Sequence, residues 1–235
     1  MKDLAGSALD HAQGLDRDRA EQYQEDIQKI SKTLHSGKML EEVLKRFIQA
    51  VSAKNKDISG HSERVADYAA SIGKALDMTE EQLVTLRSAA LLHDIGKIHI
   101  PEDILNKKGK LTEEEFELIK MHPVYSADIV RELPKIGNII EDIRLHHERY
   151  DGCGYPEGIG GTEIPIGARI LAIADAFDAM QSDRPYRKAM SLKESVQELE
   201  DNSGTQFDPG LVALFIDQFD YGCPIKKQAE TCQDR

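Results

Sequence analysis

The chain has 235 residues, enough for one large domain or for one of ordinary size with helical extensions. Its 42 acidic and 30 basic residues leave a formal charge of -12, which disfavours a nucleic-acid polymer as partner, because such binding relies on basic surface to release counterions. No apolar run approaches the roughly 18 residues of a membrane helix, no apolar signal segment opens the chain, and Cys153, Cys223 and Cys232 form no CxxC pair, so the expectation is no membrane insertion and a cytoplasmic, reducing setting.

Residues 1 to about 20 are polar. Over 21–53 the apolar residues fall at helical spacing (Tyr23, Ile27, Ile30, Leu34, then Leu40, Val43, Leu44, Phe47, Ile48, Val51), with Gly37 as a break. Two amphipathic helices are expected there, serving as a linker, as a homodimer contact, or packed on the main domain. Further along, Thr79-Glu-Glu-Gln82, Thr112-Glu-Glu-Glu115 and Ser191-Leu-Lys-Glu194 are capping boxes, each opening a helix. The first precedes Leu83, Leu86, Leu91 and Leu92, and the second precedes Phe116 and Ile119. Residues 164–180 place Ile166, Ile170, Ile173, Ala174 and Phe177 on one face. Asp208-Pro209 puts an N-cap and a first-turn proline before Leu211, Val212, Phe215 and Ile216. No period of two is sustained, so the chain reads as all-α. Between Gly152 and Gly161 half of the ten residues are glycine, which marks a shaped loop, and 221–235 read as a tail.

Five of the eight histidines lie where ligation is plausible: His61, His93, His122, His146 and His147. Asp94 follows His93 at the end of an apolar helix, and Asp175 interrupts another apolar stripe; a carboxylate in either place needs a partner or a metal. The set offers nitrogen and oxygen donors and no thiolate, which suits Fe, Mn, Zn, Ni or Co. His11, His35 and His99 lack such a context and read as structural or surface residues.

The succession His61-Ser-Glu-Arg-Val, His93-Asp-Ile-Gly-Lys97, His122-Pro, His146-His-Glu-Arg-Tyr-Asp-Gly-Cys-Gly-Tyr-Pro156, Asp175 and Arg184-Pro-Tyr-Arg187 resembles the HD-GYP family, a branch of the HD-domain metal phosphohydrolases. The resemblance covers about residues 50–219. It implies an HD-domain-like helical bundle over 51–220, preceded by the helical extension of 1–50 and followed by the tail. It also implies two or three divalent metal ions, iron or manganese, and hydrolysis of cyclic di-GMP to linear pGpG and onward to GMP. His93, Asp94, His122, His146, His147 and Asp175 take the positions of the family's metal ligands. His61 takes the position that binds a third metal in trinuclear members. Those members pair it with a glutamate four residues upstream, where this chain has Asp57, a shorter carboxylate that fits a third metal and equally fits a cap for a helix starting near Gly60.

The chemistry accounts for the residue types. Two metals roughly 3.5–4 Å apart can share a hydroxide and clamp a phosphate, and a carboxylate such as Asp94 can bridge them where a histidine cannot. Lys97 can neutralise the phosphate or protonate the leaving 3′ oxygen. Arg184 and Arg187 can each fork phosphate oxygens. Tyr155 in the Gly-rich loop can stack on a guanine or bond a phosphate, or the loop can be a contact surface for diguanylate cyclase domains, as the family implies. Glu148 and Asp151 are expected to orient His146 or His147. Two alternatives stand beside cyclic di-GMP hydrolysis: hydrolysis of another cyclic dinucleotide such as cyclic GMP-AMP, and a non-catalytic sensor or docking module.

Overall fold

The computed structural model describes residues 44, 56–131, 139–183 and 188–220, with the helical backbone alone at 56–59 and 220. The expected N-terminal helices, apart from Leu44, and the tail lie outside these residues. Leu44 is buried in the main core.

The fold is all-helical, and an isolated bridge between Ser203 and Phe207 is the one β-type pairing among the described residues. Helix α1 (Lys56–Ala75) packs on α2 (Glu80–Leu92), and α1 also packs on the long apolar α7 (Ile166–Gln181). Between α2 and α7 run a 3-10 helix (Ile95–His99), α3 (Glu102–Leu105), α4 (Glu113–Lys120), α5 (His122–Arg131) and α6 (Ile140–Arg144). Helices α8 (Leu192–Asp201) and α9 (Pro209–Asp220) close the bundle against α7 and α1.

All three capping boxes form. Thr79, Thr112 and Ser191 each accept from the backbone N–H three residues on, and Gln82, Glu115 and Glu194 reach back to the cap. Asp208 Oδ1 accepts from Gly210 N and Leu211 N, as its place before Pro209 predicts. The core joins α1, α7 and α9 through aromatic rings: Tyr68 and Phe215 each lie edge-on to Phe177 at 5.0 Å between centroids. Such pairs contribute about 0.5–1.5 kcal/mol beyond their buried area. Ile170, Ile173, Ala174 and Phe177 are fully buried, as the stripe on α7 predicts.

Three expectations need correction. Ile166 is 42% exposed, because Gly167 and Ala168 take the packing at the first turn of α7. Phe116 is 47% exposed, since α4 lies on the surface and buries no residue, Ile119 included; the Lys120 ammonium sits 5.4 Å above the Phe116 ring. Helix α1 already includes Lys56 and Asp57 rather than starting near Gly60, so Asp57 lies within the helix and is not a cap at Gly60.

Candidate metal centre

Most of the predicted donors sit at helix ends, and the ends meet. His93 is the C-cap of α2, His122 follows the last turn of α4 and opens α5, and His146 and His147 follow α6. A helix leaves its last carbonyls without i+4 partners. Three of these histidines use them: Nδ1 of His93 lies 2.7 Å from Ala90 O, that of His122 2.7 Å from Ile119 O, and that of His146 2.6 Å from Ile143 O. With Nδ1–H donating to a carbonyl, each Nε2 carries a lone pair and points inward. Those three Nε2 atoms are buried and have no hydrogen-bond partner.

The donors fall into two groups, His122 with His146 and His147, and His61 with His93 and Asp94; within each group the ligand atoms lie within 4.8 Å of one another. Asp94 joins them. Its Oδ1 is 3.2 Å from His122 Nε2, while its Oδ2 is 3.5 Å from His93 Nε2 and 3.6 Å from His61 Nε2. At His93 and His122, where Nε2 is the lone-pair atom, two acceptors facing each other at such distances repel unless a cation lies between them. Asp175 Oδ1, from α7, is 3.3 Å from His61 Nε2. Lys97, on the 3-10 helix, places its ammonium 2.5 Å from Asp94 Oδ2.

The charges follow from burial and neighbours. Burial alone would raise the Asp94 carboxyl, but the Lys97 ammonium beside it holds it well below the usual carboxylate range, so Asp94 is an anion. Burial likewise opposes ionisation of Asp175, and the hydrogen bond with His61 outweighs it. Burial pushes His93 and His146 down, and His147 down to about 3, so these imidazoles are neutral and able to ligate. On His61 burial also disfavours the charge, yet Asp175 and Asp178 outweigh it and lift the group to about 10, so without a metal its Nε2 carries a proton that a bound divalent ion would replace. The inward-facing lone pairs and the carboxylates form a donor set that fits hard or borderline divalent metals.

The glycines of the motifs are close-approach positions. A Cβ on Gly96 would lie 2.3 Å from His122 O and 2.4 Å from Ser126 N. One on Gly154 would lie 2.3 Å from Arg149 N and 2.6 Å from His147 O. The second contact seats the Gly-rich loop on the backbone that carries the paired histidines. Tyr155 thereby reaches the centre, its ring 5.0 Å from that of His147 and its N–H donating to His147 O. Burial raises the Tyr155 phenol, which stays protonated.

Of the predicted site residues, the structure brings together His61, His93, Asp94, Lys97, His122, His146, His147, Tyr155 and Asp175. The side chain of Asp57, and Arg184 and Arg187, lie outside the described residues. Glu148 and Asp151 do not orient a histidine. Glu148 is buried and accepts from Glu157 N and Gly158 N, which ties down the Gly-rich loop, and Asp151 pairs with Arg149 and accepts from Cys153 N. One residue escaped the reading of the sequence. The fully buried carboxylate of α7 is Asp178, one turn beyond Asp175, and it touches His61. Its signal was available as a second acid at i+3 in the same apolar helix.

Residues 45–211 match the family described as HD domain. The chain is 41% identical over 170 residues to 3'3'-cGAMP-specific phosphodiesterase 3 of Vibrio cholerae, covering 72% of this chain and 37% of that protein. It is 41% identical over 177 residues to a cyclic di-GMP phosphodiesterase of Thermotoga maritima, covering 74% of this chain and 48% of that one. Among solved structures, the cyclic GMP-AMP-specific phosphodiesterase V-cGAP3 of V. cholerae superposes with a TM-score of 0.62 at 25% identity, over 78% of this chain and 49% of that one. The chain thus spans less than half the length of these curated relatives.

Proposed function

The chain belongs to the HD domain family, in its HD-GYP branch, and on that premise we propose that it is a metal-dependent phosphodiesterase of cyclic dinucleotides, with cyclic di-GMP the substrate and linear pGpG the first product. Residues 51–220 are the catalytic domain in this reading. The observation that carries it is Asp94, whose two oxygens face two separate histidine groups with three unpartnered imidazole nitrogens around them.

Divalent ions, iron or manganese, held by His61, His93, Asp94, His122, His146, His147 and Asp175 would activate water and draw charge from the phosphoryl oxygens. The protein supplies the rest. Opening the ring adds water across the P–O3′ bond, so that hydroxide goes to phosphorus and a proton goes to the departing 3′ oxygen. Lys97 is the proton donor: its ammonium is 30% exposed and stands beside Asp94. Tyr155 borders the same space and offers its ring to a base or its protonated hydroxyl to a phosphate. Arg184 and Arg187 bind the second phosphate, and with the metals they make the local field positive on an acidic chain. The same site can cut pGpG to GMP.

A second substrate reading has its own support. The V. cholerae relative, named for 3'3'-cGAMP, is as similar to this chain as the cyclic di-GMP enzyme of T. maritima. The test is metal analysis of anaerobically purified protein beside turnover of both dinucleotides. Two or three Fe or Mn per chain and pGpG from cyclic di-GMP are expected. Faster cutting of 3'3'-cGAMP would reassign the substrate. A metal-loaded protein inert on both would make the chain a sensor or docking module.

A further inference from the structure

We infer that Asp178 is the positioning residue for His61, held in that role by Arg64. This deepens the metal-centre reading and rests on it. The reason lies in where His61 stands. His93, His122 and His146 follow helix ends and find a free carbonyl three residues back. His61 sits inside α1 (Lys56–Ala75), where the backbone carbonyls are engaged in the helix itself. Its Nδ1 therefore needs an acceptor from another element. Asp178 of α7 provides it: Oδ2 lies 2.7 Å from His61 Nδ1. With Nδ1–H donated there, Nε2 is the atom turned toward Asp175 Oδ1 at 3.3 Å and Asp94 Oδ2 at 3.6 Å.

Asp178 is 1% exposed, and a carboxylate buried to that degree needs a counter-charge. Arg64, three residues after His61 on the same helix, supplies it as a fork. Its Nε donates to Asp178 Oδ1 at 2.5 Å and its Nη2 to Oδ2 at 2.9 Å. Nη2 also donates to Ser182 Oγ at 3.1 Å, just past the end of α7, which fixes the far side of the guanidinium. The unit Arg64–Asp178–His61 thus replaces the carbonyl that the other three histidines take from their own helix ends. It also ties α1 to α7 at the point where Asp175 joins the centre.

The test uses the full chain and Mn2+ alone, with free Mn2+ read by electron paramagnetic resonance. His61→Ala identifies the ion that depends on this histidine. Asp178→Asn keeps the shape and removes the charge. It is expected to weaken that same ion about 10- to 100-fold and to leave the remaining Mn2+ unchanged, the size of effect seen when a ligand's supporting hydrogen bond is removed. Arg64→Lys keeps the charge and loses the fork. It should weaken the same ion by a smaller factor, and it reads the proposal if Asp178→Asn does not fold. Thermal unfolding in chelator separates a general loss of stability from a loss at one ion. Binding curves for Asp178→Asn and Arg64→Lys that overlay the wild type would overturn this inference alone. Wild-type protein that takes up no Mn2+ would overturn the metal-centre reading, and this inference with it.

Discussion

Replacing Gly96 by alanine tests the link between backbone packing and the metal centre. The added methyl would sit 2.3 Å from His122 O, 2.4 Å from Ser126 N and 2.8 Å from Ser126 Oγ. Ordinary contact begins at 3.4 Å, so α5 and the 3-10 helix must separate by about 1 Å. Two of the three obstructing atoms are backbone, and a rotamer change cannot relieve them. The separation strains the 2.8 Å bond from Gly96 N to Ser126 Oγ and pulls His122 away from Asp94 Oδ1, now 3.2 Å from its Nε2. Overpacking of this kind costs about 1–3 kcal/mol, which for a chain of this size lowers the melting temperature by about 2–12 °C. A displacement of about 1 Å at a catalytic group can cost about 100-fold in rate. Gly96→Ala is therefore expected to lose metal and turnover by far more than its loss of stability explains. Calorimetry, elemental analysis and a cyclic di-GMP assay on one preparation would measure all three. A variant that melts with the wild type and holds its full metal content would refute the reasoning, since the backbone would have absorbed the methyl without moving His122.

Asp94→Ala removes the carboxylate that faces both histidine groups, and metal content and turnover should fall together; full retention of either would undo the bridging assignment. Arg184→Ala should raise KM for the dinucleotide while metal content stays near wild type, and an unchanged KM would remove it from the substrate site. Asp142, on α6, is raised from 3.8 to about 6, chiefly by burial, against a hydrogen bond from the Ala168 backbone. A carboxyl raised in the fold stabilises the protein when protonated, and that contribution is lost as pH climbs from about 4 through about 6. Asp142→Asn should therefore melt higher than the wild type at pH 7, with the difference vanishing below pH 4; a constant difference across that window would show that Asp142 does not titrate there.

Local chemistry was legible from the chain alone, because it depends on neighbours within one turn. The capping boxes at Thr79, Thr112 and Ser191 and the cap at Asp208 need only residues up to three apart, and all four form. The buried stripe Ile170, Ile173, Ala174 and Phe177 follows from helical periodicity. The histidines and Asp94 could be singled out for the same reason, since each sits in a short motif whose context is unusual without a metal. What the sequence could not settle was which face of a helix another helix would cover. Ile166 and Phe116 obey the periodicity and stay exposed, because burial depends on what packs opposite. The role of Glu148 was read from its place beside two histidines, yet it turns to the Glu157 and Gly158 backbone nine and ten residues on. Asp178 lies 117 residues from His61, and nothing in a linear pattern ties an acid on α7 to an imidazole inside α1. Only the packing of α1 on α7 brings them to 2.7 Å, and it does so where a mid-helix histidine has no free carbonyl of its own.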